Sequence, residues 1–334
     1  MVSAVIFVAT SCVSPLTGFA FWETNLAYEG ESIYNYLQVK NLSDRTILST
    51  NVLFGVQSVT MKDKGLTGMY YDTALAAPAL ADNANSALIL GMGTGTYARQ
   101  LKRYYPKMNI TGVEIDQKIT DLAGEYFDEP ADIPVTTYDG RAWLAASHDK
   151  YDVIMVDAYQ DITIPFQMSS TEFFTMVREH LNPGGVMVVN MNMISDGQGS
   201  INEALSDTIA SVFGNGNTLT ADVPNTTNRE LFAKKPGSGS EENSMQQASK
   251  ALNLRETTYE RTGSEDLEWY MEEVASRFRK VNEPDSASTI LTDDKAPVEV
   301  LGMHAIDQII ADEAGPYRQI LKDEGFGGLL RAVQ

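Results

Sequence analysis

The sequence predicts an α/β fold, and two patterns in it support this prediction. From residue 87 onwards, short apolar runs alternate with segments of helical composition, as in parallel strands joined by crossover helices. Residues 28–68 contain β-branched and alternating runs with a turn at residues 41–44, which is typical of antiparallel strands. We therefore expect a small N-terminal antiparallel β-domain followed by a parallel sheet with helices on both faces.

The parallel sheet is predicted from five apolar runs, which are ALILGMGTG (87–95), NITGVEID (109–116), IPVTTYDG (133–140), YDVIMVDAY (151–159) and GGVMVVNMN (184–192). Helical composition is found at residues 70–80, 96–105, 117–126, 142–146 and 170–180. Ligands of such sheets bind outside the carboxyl ends of the strands. The residues directly after each strand are therefore the candidates for function.

The chain is expected to contain an apolar N-terminal segment (1–27), the β-domain (28–68), the main α/β domain (69–310) with a polar insertion at about 222–289, and a C-terminal tail (311–334). Residues 2–22 carry no charge, so this stretch is interpreted as a membrane span, its remnant or a buried apolar arm. Within the insertion, Leu267, Met271 and Val274 recur at helical spacing and predict a core-facing stripe.

Composition excludes several classes of function. The 334 residues include 45 acidic and 25 basic side chains, and the net charge of −20 argues against a nucleic-acid partner. The single cysteine, Cys12, allows no internal disulfide or cysteine metal cluster, and the three histidines lack the spacing of a zinc hydrolase. We therefore expect no metal, and chemistry that relies on carboxylates, hydroxyls, amides or a bound cofactor.

Glycines and acids follow successive strands of the predicted sheet. The glycines of GMGTG (91–95) let the backbone turn tightly and approach a ligand closely. Glu114 ends the second strand, 19 residues after Gly95, where an acid can accept hydrogen bonds from both ribose hydroxyls. Asp139 ends the third strand and Asp157 the fourth. Each acid alone could cap a helix, but three at successive strand ends favour a nucleoside site.

The strand ends also narrow the class of ligand. No Gly-x-x-x-x-Gly-Lys-Ser/Thr loop is present, which argues against nucleoside triphosphates. The glycine turn alone is also compatible with NAD as the ligand. The acid after the third strand instead suits an adenosine without a pyrophosphate, as in S-adenosylmethionine.

These motifs occur in a recognisable order. The order begins with Glu31-Ser32, Tyr34 and FGVQ (54–57), which are followed by the Tyr71 helix. It continues with GMGTG, VEID, DGR (139–141), YDVIMVD (151–157), NPGG (182–185) and LTDDKAPVE (291–299). Over residues 31–302 the chain resembles the spermidine synthase (polyamine aminopropyltransferase) family. Its ending and its apolar N-terminus are similar to the membrane-fused branch of that family.

The resemblance implies a methyltransferase-like Rossmann fold beside the N-terminal β-domain, and it implies roles for individual residues. Asp157 would act on an amine nucleophile, Glu114 would bind ribose, and Asp139 would bind adenine. The predicted donor-site residues are Gln57, Tyr71, Gly91, Gly93, Thr94, Glu114, Asp139 and Gly140, and those near the acceptor are Asp72, Tyr159, Gln160 and Asp161.

The implied reaction is transfer of an aminopropyl-type group from decarboxylated S-adenosylmethionine or S-adenosylmethionine to a small amine, which releases methylthioadenosine. We further expect a homo-oligomer in the cytoplasm or at the cytoplasmic face of a membrane, with the N-terminus as the membrane contact.

Two departures from the family pattern keep other functions open. Thr94 stands where the family has an acid in its glycine loop, and Gln160 stands where it has a second acid after the fourth strand. Both family acids hold amines. An S-adenosylmethionine lyase or cyclase that needs no acceptor, and a non-catalytic nucleoside-binding module, are therefore the alternatives.

Overall fold

The computed structural model describes residues 23–51, 55–63, 65–128, 130–158, 164–192, 199–237 and 254–303, together with Lys322. Within these ranges the chain forms a four-stranded antiparallel sheet and an eight-stranded mixed sheet, which confirms the predicted α/β class. The uncharged stretch at residues 2–22 lies outside the described residues, as does the C-terminal tail apart from Lys322. No helix in the described ranges combines the length and the apolar character that crossing a membrane requires.

The N-terminal sheet consists of strands that pair in chain order. They are β1 (Leu26–Glu31), β2 (Tyr36–Asn41), β3 (Arg45–Thr50) and β4 (Ser58–Met61). The predicted turn joins β2 to β3, where the Leu42 N–H donates to the Arg45 carbonyl at 2.8 Å. The prediction of a small antiparallel β-domain is therefore confirmed.

The large sheet has the strand order β12-β10-β11-β9-β8-β5-β6-β7. Its parallel strands are β5 (Ser86–Leu90), β6 (Asn109–Glu114), β7 (Val135–Thr137), β8 (Tyr151–Val156) and β9 (Leu181–Met191). Three further strands extend the sheet beyond β9, and each pairs antiparallel with its neighbours. β11 (Arg229–Lys234) pairs with β9, β10 (Thr218–Asp222) pairs with β11, and β12 (Arg279–Lys280) pairs with β10. The carboxyl ends of β5, β6, β7 and β8 therefore meet at one edge.

Helices cover both faces of this sheet. They are α1 (Tyr70–Ala74), α2 (Ala76–Leu80), α3 (Thr96–Tyr104), α4 (Gln117–Tyr126), α5 (Gly140–Ala146), α6 (Thr171–His180), α7 (Ile201–Phe213), α8 (Leu254–Thr262) and α9 (Glu265–Ser276). Strand residues alternate between two apolar layers: Met155 packs in the layer with α3 and α9, whereas Ile154 packs in the layer with α6 and α7. The predicted arrangement of helices on two faces is confirmed.

Part of the segment expected to be a polar insertion lies in the large sheet. β11 lies between β9 and β10, and all six of its residues, 229–234, are buried. This strand contains the charged residues Arg229, Glu230 and Lys234, so its hydropathy does not indicate that it is buried. The predicted stripe within the same segment is confirmed, because Leu267, Met271 and Val274 of α9 are buried in the core.

A separate apolar cluster joins the two sheets. Leu37, Val39 and Leu48 of the N-terminal sheet pack against Ile119 and Leu122 of α4 and against Phe127, which directly follows that helix. Two hydrogen bonds reinforce the contact, since the Ser32 hydroxyl and the Asn35 amide both donate to Asp116 Oδ2, at 2.6 and 2.9 Å. The small sheet is thereby held beside the end of β6.

Phe127→Ala is expected to lower the free energy of unfolding by about 3–5 kcal/mol, because it opens a cavity at the centre of this cluster. Tyr259→Ala is the control, since this side chain is 46% exposed and its loss should cost less than about 0.5 kcal/mol. Urea unfolding followed by fluorescence and circular dichroism measures both effects. Equal stabilities of the two variants would contradict the role assigned to the cluster.

Candidate active site

A cavity of about 280 Å³ lies where the carboxyl ends of the parallel strands face the N-terminal sheet. Eight of the residues predicted from the sequence line it, namely Gln57, Tyr71, Gly91, Gly93, Glu114, Asp139, Gly140 and Asp157. The N-terminal sheet contributes Leu48 and Thr50 to the opposite wall. The structure therefore brings together residues that are separated by as many as 100 positions in the chain.

Glu114, the last residue of β6, is tied to the glycine turn. Its Oε2 accepts a hydrogen bond from the Gly93 N–H at 2.8 Å, and its Oε1 accepts one from the Asp116 N–H at 3.0 Å. Burial raises the pKa of Glu114 more than these backbone bonds lower it. A carboxylate has about four lone-pair sites, so each oxygen retains capacity for a ligand hydroxyl. This geometry suits a ribose diol.

The glycine turn depends on Gly91, which lies directly after β5 and has φ of +89°. A Cβ at this position would lie 2.3 Å from the carbonyl oxygen of Asp157. In addition, the Asp157 N–H donates to the Leu90 carbonyl at 2.9 Å. The backbone at Asp157 therefore packs directly against this turn, which any larger residue at position 91 would displace.

Asp139 both caps a helix and lines the cavity. Its Oδ1 accepts a hydrogen bond from the Ala142 N–H at 2.7 Å, and this bond begins α5. The capping and the ligand-binding interpretations of this acid are thus compatible. Gly140 comes next and has no side chain to fill the cavity floor.

Asp157 directly follows β8 and receives two side-chain hydrogen bonds. The Tyr70 hydroxyl donates to its Oδ2 at 2.7 Å, and the Asn190 amide donates to its Oδ1 at 3.0 Å. Burial raises the pKa of Asp157 to about 7, while these two bonds lower it and the nearby charge of Glu114 raises it further. A carboxyl group with a pKa near neutrality is suited to accept a proton from a substrate.

Sequence reasoning missed Tyr70 and Asn190. Tyr71 is the residue predicted from the sequence, yet its hydroxyl donates to the Gln57 carbonyl at 2.7 Å, whereas the hydroxyl of its neighbour Tyr70 donates to Asp157. Asn190 lies near the end of β9, and its Oδ1 accepts from the Asn228 amide at 2.9 Å. Its position near the carboxyl end of a parallel strand was a usable signal, because that edge also holds the acids.

Two predicted site residues point elsewhere. Asp72 is fully buried away from the cavity and accepts hydrogen bonds from the Thr67 N–H, the Thr67 hydroxyl and the Gly68 N–H. Successive side chains of a helix diverge by about 100°, so Tyr71 faces the cavity while Asp72 holds the loop before α1. Asp72 is therefore not part of the described cavity lining, and its contact with substrate stays a prediction from the sequence.

Thr94 is also fully buried and is not part of the described cavity lining, so its contact with the donor likewise stays a prediction from the sequence. Its N–H donates to the Ser58 hydroxyl at 3.3 Å. The remaining predicted residues, Tyr159, Gln160 and Asp161, lie outside the described residues. Within the described ranges, no group of three or more His, Cys, Asp or Glu residues is placed to hold a metal ion.

Comparison with known proteins identifies the family. The model of the Spermine/spermidine synthase domain matches residues 69–235. The chain belongs to this family. It is 99% identical over all 334 residues to a "Probable polyamine aminopropyl transferase" of Bifidobacterium longum (strain NCC 2705), an alignment that covers 100% of this chain and 75% of that relative. It is 28% identical over 209 residues to the polyamine aminopropyltransferase of Vibrio vulnificus (strain CMCP6), over 60% of this chain and 69% of the relative.

Solved structures of spermidine synthases share the fold. A probable spermidine synthase from Corynebacterium glutamicum ATCC 13032 aligns with a TM-score of 0.56 and 22% identity, over 80% of this chain and 99% of that one. A spermidine synthase in complex with the transition state analogue AdoDATO aligns with a TM-score of 0.53 and 18% identity, over 75% and 89% of the two chains. The methyltransferase-like Rossmann fold and the family resemblance inferred from the sequence are thus confirmed.

Tyr70→Phe is expected to raise the pKa of Asp157 by about one pH unit, because it removes a hydrogen bond to the charged form. Carboxyl ¹³C NMR titration of Asp157 measures this change. Tyr105→Phe is the matched control, since its buried hydroxyl has no hydrogen-bond partner in the described ranges. An unchanged Asp157 titration in the Tyr70 variant would contradict the assigned bond.

The raised pKa of Asp157 also predicts how stability depends on pH. Between its ordinary value of 3.8 and about 7, the folded protein keeps a proton that the unfolded chain releases, so stability falls as pH rises. Relative to Asp157→Asn, the wild-type free energy of unfolding should decrease by a few kcal/mol from pH 4 to pH 8. A pH-independent difference in urea unfolding would show that Asp157 is ionised throughout.

Proposed function

We propose that this protein transfers an aminopropyl group from decarboxylated S-adenosylmethionine to a small amine and releases methylthioadenosine. The observation that carries the proposal is the buried Asp157, with a pKa of about 7, in the same cavity as Glu114 and its ribose-binding geometry. Membership of the spermine/spermidine synthase family supports the same reaction class.

The chemistry follows from the nature of the two substrates. The methylene group next to a sulfonium is electrophilic, so the enzyme must align the amine and keep its nitrogen unprotonated. Alkylamines have a pKa of about 10.4, like the lysine side chain, so at neutral pH they enter the site as cations. Asp157 in its ionised form accepts the proton. The nitrogen then forms a bond to carbon, the carbon–sulfur bond breaks, and sulfur leaves as a neutral thioether.

The charge of the cavity supports the choice of donor. Its described lining contains the carboxyl groups of Glu114, Asp139 and Asp157 and no lysine, arginine or histidine side chain. A sulfonium cation is attracted to such a site, whereas the α-carboxylate of intact S-adenosylmethionine would enter without a cationic side chain to pair with. This contrast favours the decarboxylated donor.

Other features remain predictions from the sequence. They are assembly as a homo-oligomer and location in the cytoplasm or at the cytoplasmic face of a membrane, with residues 2–22 as the contact. Size-exclusion chromatography with light scattering and cell fractionation of the full chain address them separately from the chemistry.

The function is tested by incubating the protein with decarboxylated S-adenosylmethionine and putrescine, and separately with S-adenosylmethionine alone. We expect methylthioadenosine and a polyamine in the first reaction only. Asp157→Asn should lower kcat by about 10²–10⁴-fold because it removes the proton acceptor. Asp149→Asn, at an exposed acid outside the cavity, is the control.

The outcomes separate the three functions. Methylthioadenosine released from S-adenosylmethionine without an acceptor would overturn the proposal in favour of a lyase or cyclase. Binding of the nucleoside without any product, and without an effect of Asp157→Asn on that binding, would favour a non-catalytic module.

A further inference from the structure

The turn between β10 and β11 lies at the same edge of the large sheet as the acids of the cavity. β10 and β11 pair antiparallel, and residues 223–228 connect them. β11 begins directly after Asn228, and its first residue, Arg229, pairs with Met191 at the end of β9. The turn therefore lies at the carboxyl end of β9, next to β8 and Asp157, and the proposed transfer reaction gives it no role.

The backbone at Asn228 is held within this turn. The Val223 N–H donates to the Asn228 carbonyl at 2.9 Å, and the Asn228 N–H donates to the Thr226 hydroxyl at 3.1 Å. Asn225 has φ of +56°, a conformation that asparagine tolerates better than most residues do. The half-buried Asn228 side chain thus extends from a fixed position.

Two hydrogen bonds connect Asn228 to Asp157. The Asn228 amide donates from Nδ2 to Asn190 Oδ1 at 2.9 Å, and Asn190 Nδ2 donates to Asp157 Oδ1 at 3.0 Å. Asn190 is only 3% exposed, so water has little access to its amide. One end of an amide group donates and the other accepts, so a donor at one end determines which end faces the opposite neighbour.

The opposite orientation of the Asn190 amide is unfavourable at both ends. Its carbonyl would face Asp157 Oδ1, which brings two acceptors together when the acid is ionised. Its NH2 group would face the NH2 group of Asn228, which brings two donors together. Each contact leaves a buried polar group without a partner, and such groups are costly. The contact with Asp157 is unfavourable only for the ionised acid, whereas the contact with Asn228 is unfavourable in both protonation states.

We propose that Asn228 is a positioning residue for Asp157: it fixes the orientation of the Asn190 amide, so that the NH2 group of Asn190 and not its carbonyl faces the acid. Asn228 is not part of the described cavity lining and acts through Asn190. The inference rests on the proposed function, because Asp157 is the proton acceptor of the proposed reaction. The turn between β10 and β11 thereby favours the ionised form of Asp157, which accepts that proton.

Other titratable groups also act on Asp157. They are Tyr70 and Tyr71 of α1, Glu114 of β6 and Glu230 of β11. The variants below retain all four side chains, so a changed titration of Asp157 reports the state of Asn190.

The test is a carboxyl ¹³C NMR titration of Asp157 in the full chain. Asn228→Ala is expected to raise the pKa of Asp157 by about half to one pH unit, because the Asn190 amide is no longer held as a donor to the charged form. Asn225→Gly is the matched control. It removes an exposed side chain from the same turn, keeps the positive φ and should leave the Asp157 titration unchanged.

A double-mutant cycle distinguishes positioning from a structural effect on the turn. Asn190→Ala removes the amide that faces Asp157 and should itself raise the pKa of the acid. In that background, Asn228→Ala should add no further shift, because its effect passes through Asn190. An equal shift in both backgrounds, or no shift from Asn228→Ala alone, would overturn the inference.

If Asn228→Ala has a lowered melting temperature, Asn228→Asp is the second variant. It keeps the size of the side chain but replaces the donor by an acceptor, so it should raise the pKa of Asp157 at least as much. Asn225→Asp adds the same charge to the same turn, and equal shifts from the two variants would contradict the inference. These titrations need no substrate, so a protein that shows the expected shifts but forms no polyamine refutes the transfer reaction and leaves the positioning role standing.

Discussion

The active site depends on the hydrogen bonds that hold Asp157. Tyr70 on α1 and Asn190 on β9 donate to its two oxygens, so one carboxyl group connects a helix with two neighbouring strands. Burial alone would make the charged form very unfavourable, and the two donors bring its pKa back to about 7. The close approach of Gly91 to the Asp157 carbonyl completes this arrangement, because any side chain there would push the acid out of position.

The family motifs divide into chemical and structural parts. In DGR, Asp139 and Gly140 line the cavity, whereas Arg141 donates to both carboxyl oxygens of Asp293, at 2.7 and 2.6 Å. Asp293 also accepts from the Ser170 hydroxyl at the start of α6. The C-terminal motif that contains Asp293 thereby ties residues 291–299 to α5 and α6. A motif is thus not a list of ligand contacts, and each position in it has to be assigned from its neighbours.

The location of the acids matters more than their number. The net charge of −20 is spread over the whole chain, and several acids, such as Asp293 and Asp222, are engaged in ion pairs. Glu114, Asp139 and Asp157 differ because they face one cavity whose described lining has no cationic side chain. Asp72, an acid adjacent to a cavity residue in the chain, lies outside the described lining because one step along a helix turns a side chain to another surface.

The sequence by itself determined the fold class, the succession of parallel strands along the chain and the acids that follow them. It could do so because hydrophobic periodicity and strand–helix alternation are local properties. It also indicated the family through motifs in a recognisable order. Only the tertiary structure decided which polar residues share a surface with Asp157. Tyr70 and Asn190 come from α1 and β9, and their proximity to Asp157 depends on helix packing, sheet order and register. Charged residues concealed β11 as a buried strand, since a hydropathy pattern cannot show that neighbouring strands will cover a charged segment.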